Sequence, residues 1–191
     1  LHKVKVKEVV SPTQLIGKLA KNPVTKNNVL ILPASFVDSN VATGIVMSVP
    51  SHAPYDWMGL HDLKENLDFA KKFGIDQRML DSIVPISIIK VEGMSDNPAI
   101  EVVSNMLISS KENKEKLDEA TEIVYKKEFH QGILKDNTDY AGMKVSVAKE
   151  KLTEDFLKKD FAIKLWETTG EVVCRCKTKC HVKILENQWF L

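Results

Sequence analysis

The sequence predicts a mixed α/β fold, β-rich at its start, helical in its middle and closed by a short β-hairpin-like tail. Three observations predict it. Short β-branched runs bounded by prolines occupy the first fifty residues, apolar residues recur at helical spacing from Tyr55 onward, and short apolar pairs flank a cysteine loop near the end.

Taken in order, Val4, Val6, Val9 and Val10 alternate with Lys5 and Lys7, so residues 3–10 read as a strand with one wet face. Asn22-Pro23 and Lys26-Asn27-Asn28 mark turns. Residues 29–32 and 44–49 are β-branched, bounded by Pro33 and Pro50, and read as buried strands. Trp57, Leu60, Leu63, Leu67 and Ala70 then fall on one helical face, with Gly74 where a C-terminal cap belongs. Residues 84–91 form another apolar run, with Pro85 near its start where a missing donor is tolerated. Asp96-Asn97-Pro98 resembles a helix entry, leading to an apolar face of Ile100, Val103, Met106 and Leu107. Ser109 and Glu112 have capping-box spacing ahead of a stripe of Leu117, Ala120, Val124 and Glu128. Val145, Ala148, Leu152 and Phe156 mark a second charged helix, and the Lys and Glu residues of both read as a solvated face. Residues 161–166, 172–173 and 182–185 read as short strands around the cysteines; no repeat or low-complexity segment occurs.

The chain has 191 residues, which at roughly 100–200 residues per domain suits one domain, alone or with an appendage. Its 43% hydrophobic and 28% charged residues exclude disorder and collagen-like or coiled-coil bias. With 27 Lys and Arg against 26 Asp and Glu, a net charge of +1 makes any polyanion site a local one. No stretch is apolar enough to cross a membrane and the first residues lack a signal-peptide core, so the expected compartment is the cytoplasm. The three cysteines, crowded at 174, 176 and 180, suit a reducing compartment better than a disulfide framework. The first residue is Leu, as in a fragment or a processed chain.

No phosphate-binding glycine loop, nucleophile elbow or His-Glu-x-x-His motif occurs. Gly142-Met143-Lys144-Val145-Ser146 is a faint imitation of a synthetase Lys-Met-Ser-Lys-Ser loop without its second Lys and Ser. The densest chemistry lies in residues 43–57, where a strand ends at Pro50, a polar loop carries His52, and Asp56 falls in the first turn of a helix, favourable for a fixed carboxylate. The bland reading is a capping Asp with His52 an ordinary loop residue. Cys174, Cys176, Cys180 and His181 have the ligand types of a structural zinc site, but the one-residue spacing and the adjacent Cys180-His181 fit it poorly. Small, partly buried thiols are the simpler reading, with zinc the alternative. Arg175, Lys177, Lys179 and Lys183 make the tail the most basic short segment, either solvated or touching phosphate.

Thr43-Gly44-Ile45-Val46-Met47-Ser48-Val49-Pro50-Ser51-His52, leading to Asp56, resembles the editing domain inserted in leucyl-tRNA synthetases, and His52-Ala53-Pro54-Tyr55-Asp56 looks like its archaeal version. Asn22-Pro23-Val24-Thr25, Ile31-Leu32-Pro33-Ala34, Glu128-Phe129-His130-Gln131-Gly132, Ala141-Gly142-Met143-Lys144-Val145 and Gln188-Trp189-Phe190 extend the resemblance, in order, along the chain. It implies the later part of a β-rich editing core of the class Ia synthetase insertion type over 1–110, a helical insertion over 111–160 and a β tail over 161–191 that returns toward the catalytic core.

The resemblance also implies post-transfer editing, hydrolysis of the ester joining a wrong amino acid to the 3′ end of leucine tRNA. A hydrophobic pocket separates side chains differing by one methylene by only about 1–3 kcal/mol, so a second site must remove what the first admits. On this resemblance Asp56 anchors the α-ammonium, Thr43 stands beside it in the catalytic set, and Met47, Val49 and His52 bind substrate. Met47 and Val49, two apart on a strand, would share a face. The partners implied are the tRNA and the rest of the synthetase. Editing itself requires no cofactor; ATP and magnesium serve a synthetic site whose motifs are absent from these residues. The family's Thr-x-Arg-Pro-Glu-Thr segment is absent too, and Ala42 replaces its Gly before Thr43. The alternative function is therefore a non-catalytic module that contacts tRNA or the synthetase body.

Overall fold

The computed structural model describes residues 7–39, 41, 43–168, 170–180 and 182. Strand β1 (Leu19–Lys21) pairs antiparallel with β2 (Asn28–Leu30), placing Ala20 opposite Val29. Asn22 builds the connecting turn, its Oδ1 accepting from the N–H groups of Val24 at 2.8 Å and Thr25 at 3.1 Å. Residues 29–32 are thus half-buried rather than buried, and the two expected turns merge into one hairpin loop.

Two expected strands are not found among the described residues. Residues 7–10 are irregular, with Val9 exposed, and 1–6 lie outside the described residues. Residues 44–49 also lie outside regular structure, because no described strand runs alongside to accept their backbone groups. Gly44 adopts a φ of +66°, where a Cβ would come 3.0 Å from the Ser39 carbonyl oxygen.

Helix α1 (Pro54–Glu65) starts with Pro in its first turn. The single helix expected as far as Gly74 is two, because Asn66 leaves helical geometry and accepts from the Phe69 N–H at 3.2 Å, starting α2 (Leu67–Lys71). Asp76 caps α3 (Gln77–Asp81) in the same way, accepting from the Met79 N–H at 2.8 Å. Of the run 84–91, only β3 (Ile89–Lys90) enters a sheet, paired antiparallel with β4 (Ile133–Leu134). Helix α4 (Pro98–Asn105) begins as expected, but Leu107, placed on its apolar face by the sequence, adopts a φ of 53° past the helix end and is 82% exposed.

Helix α5 (Lys114–Gln131) buries all of Leu117, Ala120, Val124 and Glu128. Its expected capping box is not made; Ser110 Oγ instead accepts from the Glu112 N–H at 3.2 Å and the helix starts two residues later. Helix α6 (Val145–Lys158) packs on α5 through Ala148. Residues 161–166 are exposed and irregular, and beyond them a lone bridge joins Val173 to Lys179. The strand expected at 182–185 lies outside the described residues except for Val182.

Two cores result. Met58, Val102, Val103, Ile108, Leu117, Ala120 and Val124 join α1, α4 and α5, whereas Leu63, Ala70, Ile75 and Leu80 gather α2 and α3 under the far end of α1. Among the described residues the fold is mixed α/β, with helices dominant and two small two-stranded sheets in place of a β-rich start.

Candidate active site

Residues 49–56 bend sharply into α1. The N–H groups of His52 and Ala53 both donate to the Val49 carbonyl, at 2.8 and 2.9 Å, and the Val49 N–H donates back to Asp56 Oδ2 at 2.7 Å. Asp56 is thereby fixed in the first turn of α1, near the helix's positive end, and only 8% exposed. Burial pushes its carboxyl above the ordinary value of 3.8, while hydrogen bonds from the Val49 N–H and the Ser48 hydroxyl pull it back.

His52 lies beneath this bend rather than in a pocket. Its Nε2 accepts from the Ile88 N–H at 2.9 Å, so the ring proton sits on Nδ1, which donates to Glu128 Oε1 at 2.5 Å. His52 and Glu128 are 3% and 4% exposed. Both ring nitrogens are thus engaged within the protein. On the neighbouring side, Ser51 Oγ donates to Asn97 Oδ1 at 2.8 Å and the Ala99 N–H donates to the Ser51 carbonyl at 3.0 Å.

The remaining expected residues lie on the loop above. Thr43 is exposed and its hydroxyl is engaged locally, donating to the Ile45 carbonyl at 3.1 Å. Met47 is 49% exposed, with the Asn22 amide 3.6 Å from its sulfur, so it meets the β1–β2 loop. Val49 is half-buried, and the two do not share a strand face because no strand exists here. A cleft of about 420 Å³ opens beside this loop, walled by Phe36, Val37, Asp38, Val41, Ile45, Val46 and Tyr55.

Phe36 and Tyr125 escaped the sequence reading, and Tyr55 entered it only as part of the motif that leads to Asp56. Tyr125 follows buried Val124 on α5, at the edge of the helical stripe, which was its only available signal. Burial raises its phenol pKa, and the nearby charges of Asp56 and Glu128 raise it further.

In the tail, Cys174 and Cys176 are joined in a disulfide and Cys180 is a partly buried thiol, in place of three thiols. Among the described residues no three His, Cys, Asp or Glu side chains gather as a metal-binding group; His181, expected as a fourth zinc ligand, lies outside them. No described helix is long and apolar enough to cross a membrane.

Helices and small sheets in this order resemble the fold of solved synthetase editing domains. The crystal structure of GlLeuRS-CP1 matches with a TM-score of 0.72 and 28% identity, over 83% of this chain and 61% of that one. The editing domain of P. falciparum cytosolic leucyl-tRNA synthetase matches in fold, with a TM-score of 0.69 at 23% identity over 77% of this chain and 49% of that one. More particularly, the chain is similar in sequence to a segment of archaeal leucine–tRNA ligases. It is 46% identical over 193 residues to that of Archaeoglobus fulgidus, across 99% of this chain and 20% of that protein. It is 44% identical over 192 residues to that of Methanocaldococcus jannaschii, across 100% of this chain and 19% of that protein. The chain thus spans about a fifth of the length of these relatives. No family model matches it.

Proposed function

We propose that this chain supplies part of a post-transfer editing site, in which Asp56 anchors the α-ammonium of a noncognate aminoacyl group on the 3′ end of leucine tRNA. The observation that carries it is the fixed, nearly buried carboxylate of Asp56, held by the Val49 N–H at the start of α1 within a chain homologous to an editing domain. An ammonium at this carboxylate favours its charged form and makes a charge-assisted hydrogen bond, which orients the ester. Water then attacks the carbonyl carbon, the ester C–O bond breaks, and the ribose oxygen takes a proton as the amino acid leaves. The exposed thioether of Met47 and half-buried Val49 border the side-chain space. Thr43 contributes a hydroxyl from the loop above. His52 supports the site from below.

In this reading residues 1–110 carry the later editing core, 111–160 the helical insertion and 161–191 a tail toward the rest of a cytoplasmic synthetase. The tail over 161–191 closes in a short β-hairpin. The polar groups that the family's threonine-rich segment supplies must come from outside these residues, so full hydrolysis belongs to the longer protein.

The test is deacylation of isoleucyl- and norvalyl-charged leucine tRNA by the full-length protein and its Asp56→Ala variant, with leucyl-charged tRNA as control. Losing a hydrogen bond to a charged group, about 1.5–3 kcal/mol, predicts a loss of roughly 10- to 100-fold on the mischarged tRNAs. Unchanged turnover in the variant removes the anchoring role. No turnover by the folded full-length protein makes the chain a non-catalytic module.

A further inference from the structure

The bend that carries Asp56 is held from three directions, and one hold comes from a distant helix. Ser51 is tied to the entry of α4 through Asn97 and Ala99, and His52 Nε2 is tied to the Ile88 backbone just before β3. The third tie is the 2.5 Å contact from His52 Nδ1 to Glu128 Oε1, 76 residues away on α5. A carboxylate is a costly choice for a position on an otherwise apolar stripe, since Leu117, Ala120 and Val124 already fill that face. Packing alone is better served there by a hydrophobic residue. What Glu128 provides instead is a directional acceptor that selects one His52 tautomer and one ring orientation, as ring-supporting carboxylates do elsewhere.

Glu128 is itself rigidly placed. Its carbonyl accepts from the Gly132 N–H at 2.9 Å, and a Cβ on Gly132 would sit 2.3 Å from that oxygen and 2.7 Å from Ile89 Cγ2. The end of α5 is thus seated directly against β3, the strand whose approach supplies the Ile88 N–H to the same imidazole. Tyr125, one turn earlier on α5, feels the charge of Asp56, so the helix that holds His52 also borders the carboxylate.

We propose that Glu128 is a positioning residue of this site, acting through His52 on the bend that carries Asp56. It touches no substrate; it fixes where the Asp56 carboxylate stands. The inference rests on the editing reading above.

The experiment uses the full-length protein with Glu128→Ala, Glu128→Gln and Asp56→Ala, measuring kcat and KM for deacylation of isoleucyl-charged leucine tRNA alongside thermal melts. Displacing a catalytic group by about 1 Å costs on the order of 100-fold, so Glu128→Ala is expected to lower kcat by 10- to 100-fold with KM changed less than threefold. Glu128→Gln keeps an acceptor at Oε1 and is expected to return to within about threefold of the parent. The ring ¹⁵N shifts of His52 report the proton on Nδ1 in both the parent and Glu128→Gln. Parent-like kcat in Glu128→Ala, a folded Glu128→Gln no faster than Glu128→Ala, or a proton on Nε2 in the parent overturns the proposal. Should Glu128→Ala not fold, Glu128→Gln and the ring shifts decide alone. If Asp56→Ala keeps full activity the editing reading itself falls, whereas an inactive Asp56→Ala beside a fully active Glu128→Ala sinks only the role of Glu128.

Discussion

Helix α5 and the segment 43–49 are both rich in aliphatic residues, yet one is dry and the other wet. Leu117 on α5 is 0% exposed, whereas Ile45 is 64% exposed. The difference lies in the backbone. A helix satisfies its own N–H and C=O groups and needs a neighbour only for its apolar stripe, which α1 and α4 provide. A strand needs a neighbour for its backbone as well, and among the described residues 44–49 has none. Apolar periodicity is sufficient for a helix and only permissive for a strand.

The largest effect is expected where the dry region holds a charge. His52→Ala leaves the Glu128 carboxylate buried without its N–H donor, a change that costs about 3–5 kcal/mol. Glu128→Ala leaves only a neutral ring N–H unsatisfied, about 1–3 kcal/mol. Urea unfolding of both variants checks the order; equal losses mean that the pair is not a neutral imidazole on a carboxylate. Leu117→Ala, in the heart of the first core, is expected to cost about 2–5 kcal/mol by the same measurement.

These positions also mark what the sequence disclosed. The α5 stripe was fully legible because its spacing is internal to one helix, and Pro98 announced α4 by its fixed φ. The break at Asn66 was not legible, since a single side-chain cap overrode a continuous apolar pattern from Leu63 to Ala70. Nor was the β3–β4 pairing, which joins short runs remote in sequence. The place of Asp56 in the first turn of a helix was legible, whereas the tie from His52 to Glu128 was not, because Glu128 lies 76 residues away and looked like part of a stripe.

A smaller effect follows from Asp56, which sits between the two regions. Its carboxyl pKa is raised chiefly by burial, so the native state holds this proton more tightly than the unfolded chain does. The stability this contributes is fully present below the ordinary value of 3.8 and is lost as pH rises through the higher folded value. The stability of the parent relative to Asp56→Asn, read from urea midpoints at successive pH values, is therefore expected to fall with rising pH across that window and then level off. A difference that rises with pH would show that the bonds from Val49 and Ser48 outweigh the desolvation.

The smallest effect belongs to the wet segment. Ile45→Ala removes as much aliphatic side chain as Leu117→Ala does, but from a position already in water, so it is expected to change stability by less than about 0.5 kcal/mol. The pair of variants turns the comparison into one number, the ratio of two losses at equal chemistry. If Ile45→Ala instead approaches the cost of Leu117→Ala in the full-length protein, residues outside this chain cover the 43–49 segment there and supply the ladder it lacks. In that case the wet face becomes the seam along which the editing site is completed, and the cleft that Val41, Ile45 and Val46 line is closed by the same contact.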